Sequence, residues 1–132
     1  MIHCQREQSP TAEEVAEVFR ASGIRRPVDD LERISTMITN ANLIITARNH
    51  VGKLIGIARA LTDFSYCCYL SDLAVDKDYQ RKGIGQQLIN QVQKEIGEQS
   101  MLLLLAAPEA AEYYPHIGFE KSGNAWIIKR VK

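Results

Sequence analysis

The residues best suited to chemistry form one short segment, Gln80-Arg81-Lys82-Gly83-Ile84-Gly85-Gln86. It follows an apolar, strand-like stretch and opens a stretch with apolar residues at four-residue steps, which predicts an amphipathic helix over 84–96. The first amide groups of a helix have no intrahelical partner and carry the positive end of the helix dipole, so they bind anions, above all phosphate. Because Gly83 and Gly85 have no Cβ atom, a pyrophosphate could approach the backbone closely.

Two other phosphate-binding signatures do not fit this segment. A P-loop needs Gly-x-x-x-x-Gly-Lys-Ser/Thr, which does not occur in the sequence. A dinucleotide-binding turn needs Gly-x-Gly-x-x-Gly, and Leu88 stands where the third glycine would be. Taken alone, the segment also fits a plain strand-to-helix turn, since helix entries often contain glycine.

The segment resembles the signature of the GNAT superfamily of N-acetyltransferases, Gln/Arg-x-x-Gly-x-Gly/Ala, and matches it fully from Gln80 to Gly85. The resemblance implies a loop that cradles the pyrophosphate of acetyl-CoA, and a preceding strand whose main chain bonds the pantetheine arm and the thioester carbonyl. For the side chains of Arg81 and Lys82, phosphate contacts and solvated turn charges both remain open. The implied cofactor-binding residues are Leu73, Ala74, Val75, Gln80, Arg81, Lys82, Gly83, Ile84, Gly85 and Gln86.

A second motif of the same family, Phe/Tyr-Tyr-x-x-x-Gly-Phe, corresponds to the segment from Tyr113 to Phe119. The match places Tyr114 at the family's general-acid tyrosine, which donates a proton to the departing CoA thiolate. The pKa of tyrosine is about 10 and a thiol is a similarly weak acid, so this proton transfer is not strongly uphill. Pro115 departs from the family pattern and predicts that the helix ends at or before Tyr114. The alternative for Tyr114 is a packed core aromatic beside Phe119.

The sequence does not single out a general base. Asp72, Ser71 and Tyr69 all lie on the strand before the loop, and Asp72 is the candidate that carries a carboxylate. Strict alternation puts Asp72 on one face of this strand and, on the other, Tyr69, Ser71, Leu73 and Val75. A bulge, common in this strand of the family, would change that assignment. There are two alternatives: Asp72 is a strand-end carboxylate with no catalytic role, or the proton leaves through water.

The resemblance implies transfer of the acetyl group to a primary amine of a small molecule or peptide by direct attack. The second hypothesis is a non-catalytic acyl-CoA-binding sensor or partner-binding module. Arg25 and Arg26, in a predicted loop between two helices, could recognise a carboxylate or phosphate on the acceptor, or be ordinary exposed charges. Polyamines, aminoglycosides, amino-acid derivatives and protein amines all remain open as acceptors, and members of this family often form dimers, so a homodimer is expected.

Composition narrows the class of protein. The chain has 132 residues, which predicts one domain over 1–132. Its 16 basic and 16 acidic residues cancel, which argues against nucleic acid as a partner. The longest apolar run, Met101 to Pro108, is shorter than the ~18–20 residues of a membrane span, and the N-terminus lacks a signal-peptide pattern, so we expect a cytoplasmic protein without a membrane partner. The three cysteines have no metal-ligand spacing and are interpreted as reduced, with Cys68 as the candidate reactive thiol.

The predicted element order is β-α-α-β-β-β-α-β-α-β-β, which is the order of the GNAT fold. It places the chain in the α/β (α+β) class, with a mixed central sheet of about six to seven strands flanked by about four helices. The apolar run Met101–Ala106 predicts a strand covered on both faces, in the middle of the sheet. A short helix is expected from Pro108 through Tyr114, followed by a last pair of strands over 119–122 and 125–131.

Overall fold

The elements follow the expected order up to the fifth strand. The structure is a computed structural model that describes all 132 residues apart from the side chain of Glu109. Three 3-10 turns, Lys77–Tyr79, Pro108–Ala110 and Pro115–Ile117, accompany three α-helices and five strands. The helices and strands are β1 His3–Arg6, α1 Ala12–Ser22, α2 Leu31–Asn40, β2 Leu43–Arg48, β3 Leu54–Thr62, β4 Cys67–Val75, α3 Ile84–Ile96 and β5 Met101–Leu104. The mixed α+β class is confirmed.

One sheet with the strand order β1-β2-β3-β4-β5 divides the molecule into two cores. The first four strands pair antiparallel, and β5 runs parallel to β4 because α3 connects the two. Helix α3 covers one face of the sheet, and α1 and α2 cover the other. The apolar stripe predicted for α3, namely Ile84, Leu88, Val92 and Ile96, is buried, and Ile89 is buried beside it.

Local sequence signals explain where the helices begin and how closely α3 approaches the sheet. Thr11 caps α1, and Glu14 bonds back to the Thr11 amide, which completes a capping box. In β3, a Cβ atom on Gly56 would lie 3.2 Å from the Ala47 Cβ and 3.3 Å from the Leu88 Cδ1. Glycine therefore allows α3 to pack close to the strand beside the site.

Among the described residues, no helix combines the length and apolar character that crossing a membrane requires.

A bulge in β4 changes which side chains share a face. Arg59 pairs with Asp72 and Ala60 pairs with Leu70, so Ser71 is an extra residue without a partner in β3. Leu70 before the bulge and Leu73 after it both contact the core under α3. Leu73 and Val75 thus lie opposite Asp72, as strict alternation predicts, but Tyr69 does not share their face, because of the bulge that the sequence analysis left open. Asp72 lies on the α1–α2 face, as does Ala74.

The sheet and helix counts need correction, since the sheet has five strands rather than six or seven and there are three α-helices rather than four. Residues 119–132 form no strand, and Trp126 and Ile128 are 95% and 99% exposed. An alternating pattern specifies which side chains would face a core but not which edge they pair with, and a two-stranded hairpin alone is marginal. As a result β5 lies at the edge of the sheet, not in its middle.

The expected helix from Pro108 through Tyr114 is replaced by 3-10 turns. The amides of Ala110, Ala111 and Tyr113 each bond to the carbonyl three residues earlier, as in a 3-10 helix. Pro115 has no amide hydrogen and its ring would clash with the preceding turn, so an α-helix cannot continue through it. Tyr114 consequently lies between two short turns rather than on a helix.

Candidate active site

A gap between β4 and β5 forms the centre of the candidate site. The two strands pair from Cys67↔Met101 to Leu70↔Leu104, where β5 ends, while β4 continues to Val75. The outer edge of the last five residues of β4 therefore has no strand partner. A cavity of about 930 Å³ opens there, and it is lined by five of the predicted site residues, namely Leu73, Ala74, Val75, Gln80 and Tyr114.

The loop before α3 presents a row of amide groups. The amides of residues 81–86 donate to no described group of the protein, and the first helical bond of α3 runs from the Gln87 amide to the Gly83 carbonyl at 3.1 Å. Gly83 has a left-handed backbone with φ 79°, and Arg81 has φ 65°, which is uncommon for a residue with a side chain. Successive amides in this conformation form a concave anion site. These residues lie outside the cavity lining, beyond Gln80.

Side chains fix both ends of this loop. The Gln80 side-chain amide donates to the Val75 carbonyl at 2.8 Å, which joins the loop to the end of β4. The Lys82 ammonium lies 5.5 Å from the centroid of the Tyr79 ring, in cation–π range. A Cβ atom on Gly85 would lie 3.0 Å from the Tyr113 hydroxyl, so the absence of a side chain at Gly85 accommodates this tyrosine.

Tyr114 is partly buried at the opposite wall of the cavity. Its ring packs edge-on against those of Tyr113 and Phe119, at centroid distances of 5.2 and 5.5 Å. Tyr114 thus packs against neighbouring aromatic rings and also lines the cavity. Burial, followed by the charge of Tyr113, raises the pKa of Tyr114 above its ordinary value. The phenol therefore stays protonated at neutral pH, as a proton donor must.

Asp72 is fully buried beneath the cavity between two arginines. The Arg26 Nε donates to its Oδ1 at 2.5 Å, and the Arg59 Nε donates to its Oδ2. Both guanidinium groups also bond to Ser71, Arg26 to its carbonyl at 2.8 Å and Arg59 to its hydroxyl at 3.0 Å. With 0% of its surface exposed and both oxygens engaged, the carboxylate has no open path to an acceptor amine. This geometry favours a role in positioning the two arginines.

Several cavity residues were missed by the sequence analysis. Arg59, Arg33 and Arg130 line the cavity together with the predicted Arg25 and Arg26. Arg59 had a readable signal, because a charged residue inside the apolar strand β3 is rarely buried unless it is paired. Arg33 and Arg130 had none, since they lie in exposed polar stretches that look like ordinary surface.

The thiol and metal expectations concern residues away from the cavity. Cys68 is 1% exposed, and burial raises the pKa of its thiol, so it is not a reactive thiolate at neutral pH. Cys4, Cys67 and Cys68 are all free. Among the described side chains, no three histidine, cysteine, aspartate or glutamate groups come together as a metal site would require.

Comparison with known proteins identifies the family of this chain. The sequence profile of the acetyltransferase (GNAT) domain family matches residues 7–129. The chain therefore belongs to the GNAT family of acetyltransferases. The uncharacterised N-acetyltransferase ycf52 of Gracilaria tenuistipitata var. liui is 31% identical over 103 residues, which cover 73% of this chain and 54% of that protein. The chain spans about half the length of the curated relatives it matches first.

Solved structures share the fold at low sequence identity. A GNAT-family acetyltransferase of Streptococcus pneumoniae TIGR4 superposes with a TM-score of 0.74 at 22% identity, covering 98% of this chain and 100% of that one. The aminoglycoside N-acetyltransferase AAC(6')-Iy, solved in complex with CoA, superposes with a TM-score of 0.75 at 18% identity, covering 100% and 96%. The GNAT fold is thus confirmed, and these likenesses concern the fold alone.

Proposed function

We propose that this chain is a single N-acetyltransferase domain that transfers the acetyl group of acetyl-CoA to a primary amine. The observation that carries the proposal is the junction of two features at one end of the sheet. The unpaired edge of β4 and the unpartnered amides of residues 81–86 follow one another along the chain. The first can bond an amide-containing arm, and the second can bond a pyrophosphate. Acetyl-CoA has both groups, in that order.

The proposed binding mode uses main chain rather than side chains. Residues 73–75 would bond the pantetheine arm as an added strand would, and the amides from Arg81 to Gln86 would bond the pyrophosphate. An aminoglycoside acetyltransferase with this fold was solved with CoA bound, which supports the choice of co-substrate.

In the proposed reaction, the neutral amine attacks the thioester carbonyl carbon, the C–N bond forms and the C–S bond breaks. Charge that develops on the carbonyl oxygen needs a donor, and a main-chain amide of the Leu73–Val75 edge is our candidate. Tyr114 would give its phenolic proton to the departing thiolate. Its raised pKa keeps that proton available at neutral pH.

The proton that the attacking nitrogen loses needs a separate path. Asp72 as the base stays a prediction from sequence, and its enclosure between Arg26 and Arg59 favours water in the open cavity as the acceptor. A path through water requires that the amine be partly neutral already, so turnover should rise with pH toward the pKa of the free amine. The homodimer and the cytoplasmic location also stay predictions from sequence.

Calorimetric titration with acetyl-CoA, desulfo-CoA and ATP tests the proposal. We expect saturable binding of acetyl-CoA and desulfo-CoA that ATP does not reproduce, because ATP lacks the arm that would lie along β4. Acetyl transfer to a panel of primary amines, followed by release of the CoA thiol, should then be detectable. Binding without any transfer would instead favour the non-catalytic sensor, and no binding at millimolar acetyl-CoA would contradict both.

A further inference from the structure

The acceptor half of the cavity carries an unusual concentration of positive charge. The chain as a whole has a formal net charge of +0. The lining nevertheless contains six cationic side chains, Arg25, Arg26, Arg33, Arg59, Arg130 and Lys132. Among the residues that the structure describes, no aspartate or glutamate lines this cavity. The charge therefore belongs to the cavity and not to the protein surface in general.

The buried carboxylate of Asp72 neutralises only part of this positive charge. Asp72 is the carboxylate in contact with the cluster, and its single negative charge is shared between Arg26 and Arg59. That trio keeps a net charge of +1. Arg26 also retains guanidinium hydrogens that no described group accepts, and about a quarter of its side chain, 27%, is exposed. Of the remaining arginines, Arg33 donates to the main-chain oxygen of Lys132 at 3.2 Å, and the side chains of Arg25 and Arg130 have no described partner.

The cluster is also separate from the loop that we assign to the pyrophosphate. Arg81 and Lys82 lie outside the cavity lining. The arginines come instead from the loop after α1, from α2, from the middle of β3 and from the chain near residue 130. They surround the face of β4 that Asp72 and Ala74 share.

We infer that the acceptor is a small primary amine that also carries an oxyanion, a carboxylate or a phosphate, and that polycationic amines are rejected. This inference rests on the proposed function. Guanidinium groups bind carboxylate and phosphate through paired, charge-assisted hydrogen bonds. The same charges repel an ammonium group that approaches without a counterion, which discriminates against polyamines and aminoglycosides. The acceptor thus binds by its acid end while its amine points toward the gap between β4 and β5.

The test compares acceptors that differ only in the charged end. In β-alanine, β-alaninamide and 1,3-diaminopropane, a carboxylate, a neutral amide or an ammonium stands at a similar distance from the amine. O-phosphoethanolamine and ethanolamine provide the phosphate arm. After correction for the fraction of neutral amine, we expect kcat/KM for either acid to exceed that of its neutral partner at least about tenfold, with the diamine lowest. Equal rates, or a preference for the diamine, would overturn the inference.

Charge-removing variants locate the effect. Arg25→Gln and Arg130→Gln change exposed arginines whose side chains have no described hydrogen-bond partner, so both variants should fold; the bond that Arg26 donates goes to the main-chain carbonyl of Arg25, which the substitution keeps. Each should raise KM for the acid acceptor about tenfold and leave the Kd of acetyl-CoA unchanged. Lys129→Gln is the matched control, since Lys129 is exposed and lies next to Arg130 but outside the lining. An equal change in Lys129→Gln would show a general charge effect and contradict the assignment.

A binding measurement keeps the inference separate from the proposed function. The same five compounds are titrated into the protein with and without saturating CoA. If no transfer is seen, selective binding of the acids that is lost in Arg25→Gln still supports the acceptor class, while the enzymatic proposal fails. If transfer occurs without preference for the acids, the enzymatic proposal survives and this inference is wrong. If no acid binds and none is acetylated, the inference is wrong as well.

Discussion

The two ends of the candidate site differ in what forms them, main chain at one end and side chains at the other. The end assigned to the cofactor consists of main chain, an unpaired strand edge and a row of amides between residues 81 and 86 that are adjacent in sequence. The end assigned to the acceptor consists of side chains, and the Arg26–Asp72 contact alone joins residues 46 positions apart. Main chain is the same whatever the side chains are, whereas a side-chain cluster changes with each substitution. The first end therefore suits a fixed co-substrate and the second a variable acceptor.

The largest expected effect comes from breaking the side-chain end at its centre. In Asp72→Ala, two arginines would face each other without the carboxylate that separates them. Removing one partner of a buried ion pair should lower the free energy of unfolding by about 3 kcal/mol or more, measured by urea denaturation. Asp29→Ala is the control, because the Asp29 side chain is 99% exposed and its loss should cost less than about 0.5 kcal/mol. Similar stability of both variants would show that the trio is not structural.

The second effect concerns the one side chain assigned to chemistry at the cofactor end. Tyr114→Phe should lower kcat about 100-fold, because the departing thiolate loses its proton donor, while the Kd of acetyl-CoA stays the same. Since the pKa of Tyr114 is raised, kcat of the unchanged protein should not fall on the alkaline side below about pH 10. Tyr113→Phe, which keeps the neighbouring ring, should retain most of the turnover. Full activity of Tyr114→Phe would remove this residue from the proposed reaction.

A third variant tests whether main chain binds the cofactor. Gly83→Ala should raise the Kd of acetyl-CoA about tenfold, because a left-handed residue with a Cβ is strained by about 1–2 kcal/mol and the methyl group occupies the anion site. Nothing in the protein lies within 4 Å of that Cβ position, so no internal clash confuses the result. Gly97→Ala at the other end of α3 is the control for strain: φ is also 79° and the Cβ position is equally open, but ψ is 177° rather than 9°, so alanine is strained there at least as strongly. It should bind acetyl-CoA normally, and weakened binding there would mean that helix strain alone is responsible.

The smallest expected effect comes from an ion-pair network outside the cavity, which should contribute to stability but not to acceptor binding. Arg48 bonds to Glu7 and Glu14 far from the cavity, and its hydrogen bond is the main cause that lowers the pKa of Glu7. The folded pKa is below the unfolded one, so this pairing stabilises fully above about pH 4.3 and is lost as the pH falls through the folded value. Glu7→Gln should therefore cost about 1 kcal/mol at pH 7 and less at pH 3, with acceptor KM unchanged. Glu13→Gln, at an exposed glutamate, should cost little at either pH, and an equal loss there would contradict this account.

The contrast between contiguous main chain and a cluster of distant side chains also explains which features could be predicted from the sequence. The bounds of α3 were predicted correctly, because a periodic apolar stripe is a property of residues that are close in sequence. The loop motif and Tyr114 came from the resemblance of two contiguous segments to family motifs, and their roles stay predictions. The cluster of Arg26, Arg59 and Asp72 was not, since it depends on a bulge that no local pattern specifies.

The last strands were wrong for a related reason. The segment 125–131 is rich in apolar residues, yet strand formation depends on an available edge and on additional packing. The same limit misplaced β5, whose apolar run fits a central strand as well as an edge strand. Where the position of a strand depends on which distant segment pairs with it, the local sequence pattern does not determine that position.

The extra residue in β4 has a consequence for insertions and deletions in this family of sequences. Most single-residue changes in length are absorbed in surface loops, but Ser71 sits inside a paired strand. Its deletion would move the side chains on one side of the bulge to the opposite face of β4. Either Asp72 would then face the apolar core under α3, or Leu70 would face away from it. A chain that lacks Ser71 would thus lose the placement of the arginine cluster on one face of the sheet, even though every side chain of the cluster was still present.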